Sequence, residues 1–140
     1  ATWRPKELAD AVLLDAPCTA TGTIRLHPDI LFLKEKSDLR RLAKLQSELL
    51  NAAAEMVRPG GYLVYVVCSL QPEEGSRVVN KFLLNNDACS RDPIRDDEER
   101  IPREFRAESG DLRTLPSHWS ASGGLDVFYA ARLIRKTNST

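Results

Sequence analysis

An α/β fold built on neighbouring parallel strands is predicted by three features of this 140-residue chain. Two apolar runs, one over residues 11–18 and one over residues 61–69, each end in a cysteine followed by turn residues. Between them lies a stretch with helical periodicity, and a second such stretch follows. Strand, helix, strand, helix implies right-handed crossovers with parallel strands, so both thiols fall on one rim of the sheet. Open α/β sheets place their ligand crevice at the carboxyl ends of their strands, which makes that rim the place to look for chemistry.

The elements follow in order. Residues 1–10 are polar and include Pro5, and the first strand is predicted from Ala11 to Asp15, its apolar run suggesting burial on both faces. Cys18-Thr-Ala-Thr-Gly22-Thr23 is a loop of small residues, which lets a ligand approach the backbone closely. Residues 24–36 read as irregular or briefly helical. Ser37 is the predicted N-cap of a long helix, with Asp38 in its first turn. Leu39, Leu42, Leu45, Leu49, Ala53 and Met56 recur at helical spacing and are assigned to the core, and Arg58-Pro-Gly-Gly61 stops the helix.

The second strand, Tyr62 to Val67, is rich in β-branched and aromatic residues. A second helix is predicted to open with Pro72, with Glu73 and Glu74 serving its N-terminus, and to bury Val78, Val79, Phe82 and Leu83. Residues 86–111, including the run Asp96-Asp-Glu-Glu-Arg100, are mostly charged and read as a surface excursion. A short strand near residues 112–115 and a longer one over 126–134 close the chain, and the short gap between them requires an antiparallel pair.

Composition narrows the function. Twenty basic and twenty acidic side chains cancel, so no overall field draws the chain to nucleic acid or to anionic membranes, and any RNA contact has to come from a local patch or from elsewhere in the protein. Three cysteines at no framework spacing suit a reducing compartment, and the expected location is the cytoplasm. No run approaches the ~18 apolar residues of a membrane span. No spacing of His, Cys, Asp or Glu suggests a metal site.

Two long motifs carry a resemblance. Asp15-Ala-Pro-Cys-Thr-Ala-Thr-Gly-Thr-Ile-Arg-Leu-His-Pro-Asp29 and Arg58-Pro-Gly-Gly-Tyr-Leu-Val-Tyr-Val-Val-Cys-Ser-Leu-Gln-Pro-Glu-Glu74 resemble the Sun/Fmu family of S-adenosylmethionine-dependent RNA (cytosine-5)-methyltransferases. Gly124-Leu-Asp-Val-Phe-Tyr-Ala-Ala-Arg-Leu133 is similar to that family's last strand. The similarity is close from Ala11 to about Leu84 and looser at the end. The resemblance implies the C-terminal half of a Rossmann-like methyltransferase fold: a mixed sheet in the order fourth, fifth, seventh, sixth strand, with an antiparallel last strand. Residues 1–140 are expected to be the C-terminal part of a catalytic domain whose N-terminal cofactor-binding half and RNA-binding segments are absent. The chain departs from the family pattern at Thr19-Ala20, where Ser-Gly is usual, at Val67 for Thr, at Gly75 for Asn and at Val127 for Gly. None of these removes a reactive group.

The chemistry explains the residue types. Carbon 5 of cytosine is a poor nucleophile until a thiolate adds to carbon 6 and turns the ring into an enamine. Such a reaction needs an activated cysteine, a hydrogen-bonding group at the ring, and help in expelling the thiol. Cys68, just ahead of a helix N-terminus, fits the first role. Chemistry alone leaves the two thiols interchangeable, because DNA cytosine methyltransferases use the cysteine of their Pro-Cys motif. The resemblance makes Cys68 the nucleophile and Cys18 the thiol that assists breakdown of the adduct. It also implies that Asp15 contacts both base and cofactor and that Pro17 lies in the S-adenosylmethionine site. Arg25 and His27 are candidates for contact with the RNA, ribosomal or transfer. Cys89 matches no motif and is read as structural or incidental. Two rivals remain at this stage. A non-catalytic RNA or protein interaction module would be marked by loss of a reactive group, and an amino-nitrogen methyltransferase by a strand-end Asn/Asp-Pro-Pro-aromatic motif in place of Asp15-Ala-Pro-Cys18.

Overall fold

A computed structural model describes residues 3–98 and 100–137. Ala1, Thr2, Glu99 and residues 138–140 lie outside it, and with them the ends of the expected 1–140 unit and one member of the acidic run. The elements are β1 (Ala9–Asp15), a short helix α1 (Ile30–Leu33), α2 (Lys36–Met56), β2 (Val57–Val67), α3 (Ser76–Leu84), β3 (Cys89–Arg91), β4 (Leu112–Arg113) and β5 (Tyr129–Arg135). The sheet order is β1-β2-β5-β3, with β4 also pairing with β5. β1 and β2 run parallel, from Ala11 opposite Tyr62 to Asp15 opposite Val66. β5 is antiparallel to β2, β3 and β4. This is the mixed sheet with an antiparallel last strand that the sequence predicts.

The sixth strand of the expected order is split. Cys89–Arg91 pairs with the C-terminal end of β5 and Leu112–Arg113 with its N-terminal end, so the intervening residues leave one strand position and return to it. Three residues of the predicted excursion thus belong to the sheet. The remainder is pinned by arginines. Arg132, on β5, donates to both carboxylate oxygens of Glu98 at 3.0 and 2.8 Å. Arg106 donates to the carbonyls of Ile101 and Glu98 at 2.8 and 3.2 Å. Arg91 and Asp111, where the two legs leave and rejoin the sheet, form an ion pair, and the buried Asp111 also accepts from the Tyr129 hydroxyl at 2.6 Å. Charge here is structural, because each guanidinium presents a fork of donors to carboxylates or carbonyls. A run read only for its polarity does not reveal those pairings.

Helices α2 and α3 pack side by side against the sheet, over a core of Leu50, Ala53, Val57, Leu63, Tyr65, Val67, Val79, Phe82, Tyr129 and Leu133. Val78, Val79 and Phe82 are buried as predicted for the second helix. The long helix differs in phase and in its cap. Leu45 is exposed, and Gln46 and Leu50 are buried. Gln46 can lie inside because its amide donates to Pro17 O at 2.9 Å and to Glu74 at 3.1 Å, partners that periodicity cannot foresee. Glu35, not Ser37, is the N-cap, in a reciprocal capping box with Asp38. The second helix starts at Ser76, with Pro72–Gly75 forming turns ahead of it. β1 is not buried on both faces: it is an edge strand among the described residues, and Leu13 is 69% exposed.

Candidate active site

The carboxyl ends of β1 and β2 carry the site, because parallel pairing puts Asp15 beside Val66 and sends both chains into loops at one rim. The first loop turns back at once. Ala16 N donates to Val66 O at 2.9 Å, and Gly22 N donates to Cys68 O at 3.0 Å. Gly22 O then accepts from Val127 N at 3.0 Å, so this residue ties the first loop to the second and to the chain leading into β5. A Cβ on Gly22 would lie 2.6 Å from Val127 O and 2.9 Å from Cys68 O, which is why only glycine fits there. Ala20 takes a left-handed conformation with φ 57°, at a position where the family resembled above usually has glycine.

These constraints bring Cys18 and Cys68, fifty residues apart, to an Sγ–Sγ distance of 3.6 Å. Both are half-buried free thiols. The Cys18 thiol is pushed up to about 12, chiefly by burial and further by the neighbouring Cys68. Cys18 therefore keeps its proton near neutral pH. A protonated thiol at that distance can donate a hydrogen bond to the neighbouring sulfur.

Glu74 holds the two loops in register. Its side chain is fully buried and accepts from Thr19 N at 2.9 Å, Thr19 Oγ1 at 2.5 Å, Ser69 Oγ at 2.6 Å and Gln46 Nε2 at 3.1 Å. Its backbone carbonyl accepts from the Tyr65 hydroxyl at 2.5 Å. Burial, followed by the nearby Glu74, pushes the Tyr65 hydroxyl up, so it remains a donor. Thr19 follows Cys18 and Ser69 follows Cys68, so one carboxylate fastens both cysteines from behind. Glu74 does not serve the helix terminus that its position in the sequence suggests, since α3 starts at Ser76. Its real role shows only in the alternation of Thr19, Ser69 and Gln46 with apolar core residues, each a buried donor in need of an acceptor.

The other candidates are placed differently. Asp15 ends β1 with an exposed side chain, and Pro17 is exposed beside it, with its carbonyl on Gln46. No hydrogen bond joins the Asp15 side chain to either thiol among the described residues. Arg25 forms a 3.1 Å ion pair with Asp126, and His27 is exposed in the turn ahead of α1. Cys89 is buried in the core, as expected. Among the described residues no cluster of His, Cys, Asp or Glu could hold a metal, and no helix is long and apolar enough to cross a membrane.

Comparison with known proteins places this site in context. Residues 1–134 match the family model for the 16S rRNA methyltransferase RsmB/F. The ribosomal RNA small subunit methyltransferase B of Salmonella arizonae is 44% identical over 138 residues, covering 97% of this chain and 28% of the relative. That of Cronobacter sakazakii is 39% identical over 135 residues, covering 96% and 28%. Among solved structures, PH0851 superposes with a TM-score of 0.78 at 32% identity, covering 92% of this chain and 27% of that one. NSun6 from Pyrococcus horikoshii with SFG gives 0.72 at 25% identity, covering 96% and 32%. The chain thus spans a little over a quarter of the length of the curated relatives it matches.

Proposed function

The chain belongs to the RsmB/F family of 16S rRNA methyltransferases, and from that premise we propose that it forms the thiol-bearing part of an enzyme that methylates carbon 5 of a cytosine in ribosomal RNA. The observation that carries this reading is the Cys18–Cys68 pair at 3.6 Å on the rim where the strands end. A single rim cysteine is compatible with many roles, whereas two thiols held in register by a shared buried carboxylate suit a reaction that must both form and break a carbon–sulfur bond.

In this reading the Cys68 sulfur adds to carbon 6 of the cytosine, and the ring electrons move to carbon 5, which becomes nucleophilic. The name of the relative with SFG and the family both point to S-adenosylmethionine as cofactor. The exposed Asp15 carboxylate, which no described side chain occupies, and the adjacent Pro17 fit a place in its site. Bound there, S-adenosylmethionine supplies the methyl group. In this reading Asp15 also accepts a hydrogen bond from the cytosine ring or its amine. Once carbon 5 is methylated, its proton passes to solvent, the electrons of that carbon–hydrogen bond re-form the ring double bond between carbons 5 and 6, and the carbon 6–sulfur bond breaks with its pair going to the Cys68 sulfur. Cys18 assists this second half. Its proton is held chiefly by burial, and in this reading it hydrogen-bonds the departing Cys68 sulfur 3.6 Å away.

The test is incorporation of labelled methyl groups into 16S rRNA by the full-length protein, followed by nucleoside analysis. The label is expected in 5-methylcytidine and lost in Cys68→Ala. Label in another nucleoside would overturn the assignment.

A further inference from the structure

A groove leads away from the thiol loops between α2 and α3. Its mouth lies among Thr19, Thr21, Gln71 and Lys36. It passes Leu39 and Arg40 and opens into a space of about 460 Å³ whose walls include Lys44, Arg77 and Lys81. The segments share residues, Lys36 and Leu39 at the first junction and Arg40, Ala43 and Glu73 at the second, so they adjoin one another along the same surface.

Its walls are basic by construction. Lys36, Arg40 and Lys44 stand four residues apart on α2, which puts them in one stripe with about 6 Å between neighbours. Arg77 and Lys81 form the matching pair on α3. Glu73 pairs with Arg77 at 2.7 Å and Glu48 approaches Lys44 to 4.0 Å. Among the described residues, Lys36, Arg40 and Lys81 have no carboxylate within salt-bridge distance. A charged helix face is ordinarily just solvated. These cations instead line both walls of one concavity, in a chain whose total charge is zero, and its mouth lies beside Thr19 and Gln71, in the loops that follow the two cysteines.

Resting on the reading of the chain as an RNA methyltransferase, we propose that this groove carries the phosphate backbone of the RNA strand flanking the target cytosine. The spacing of the α2 stripe is comparable to that of adjacent phosphates along an extended single strand. The floor is Ala43 and Val78, with no aromatic ring on which a base could stack and no large apolar pocket to anchor a peptide. The contacts are therefore to phosphates and indifferent to sequence. This supplies the local patch that a neutral chain requires, at a place distinct from Arg25 and His27.

The test uses the full-length protein and a fluorescently labelled 16S rRNA transcript. Binding is measured over a salt series for the wild type, for a triple variant Arg40→Gln, Lys44→Gln, Lys81→Gln, and for Glu48→Gln. Each single-strand phosphate contact contributes about 0.7 to the slope of log affinity against log salt, so the triple variant should flatten the slope by about 2. Its KM for RNA should rise about tenfold or more at low salt with kcat at saturating RNA retained, a split that a folding defect would not give. Glu48→Gln, which frees Lys44, should bind more tightly than wild type. A triple variant with wild-type slope and KM overturns the groove assignment. In that case methylation by the wild-type protein in the same assay shows whether the methyltransferase reading survives without it.

Discussion

Thr19 and Glu74 are joined twice, by the Thr19 amide to one carboxylate oxygen at 2.9 Å and by its hydroxyl to the other at 2.5 Å. With Ser69 on the same carboxylate, this fixes the residue after each cysteine to one buried anchor. Removing it as Glu74→Ala strands the Thr19, Ser69 and Gln46 donors in the core and should cost about 3 kcal/mol of stability. Glu74→Gln keeps the size but turns a donor group toward donors, and should cost about 2 kcal/mol. Denaturant unfolding checks both. Methylation should fall more in either variant than the change in folded fraction accounts for.

Ala20 offers the opposite case. Its φ of 57° is a conformation that costs an L-residue roughly 1 kcal/mol or more. Ala20→Gly relieves that strain and should raise stability by about 1 kcal/mol, less what glycine adds to the unfolded chain's entropy. A rise in Tm with unchanged methylation is the expected result.

Residues 92–111 should release first in acid. Hydrogen bonds from Arg132, then from the Arg95 backbone, hold the Glu98 carboxyl down at about 2, below its ordinary 4.5. A carboxyl lowered in the folded state adds stability above pH 4.5 that is lost as pH falls from there toward about 2. Glu98 is half-buried at the surface, so solvent still screens it, and the effect is small and weakens with salt. Protection against hydrogen exchange at the described residues of 92–111, taken relative to the intrinsic rate at each pH, should fall modestly over that window in the wild type, and Glu98→Gln should remove that pH dependence.

The sequence made the sheet legible because its two parallel strands are written as apolar runs of the right length and the last pair is forced by a short connection. The split of the sixth strand was not legible, since Cys89–Arg91 is too short to show alternation and its pairing depends on β5 far along the chain. The two thiols could be placed on one rim from topology alone. The 3.6 Å between them could not, because it depends on Gly22 bridging Cys68 and Val127 and on a glutamate whose burial only its donors explain. The same limit hid Gln46, a polar residue that periodicity assigns to the surface. Lys36, Arg40, Lys44, Arg77 and Lys81 appear in sequence as ordinary solvated helix charges, and only the packing of α2 on α3 sets them on the walls of one groove.

The measurement that bears most directly on the roles of the paired thiols is the trapping of a covalent protein–RNA adduct. The full-length protein, its Cys18→Ala variant and its Cys68→Ala variant are each incubated with 16S rRNA and cofactor and run on denaturing gels. With Cys68 as nucleophile and Cys18 needed for release, Cys18→Ala should accumulate a denaturant-resistant adduct and Cys68→Ala should form none. An adduct in the Cys68→Ala variant and none in Cys18→Ala would reverse the two roles and contradict the account.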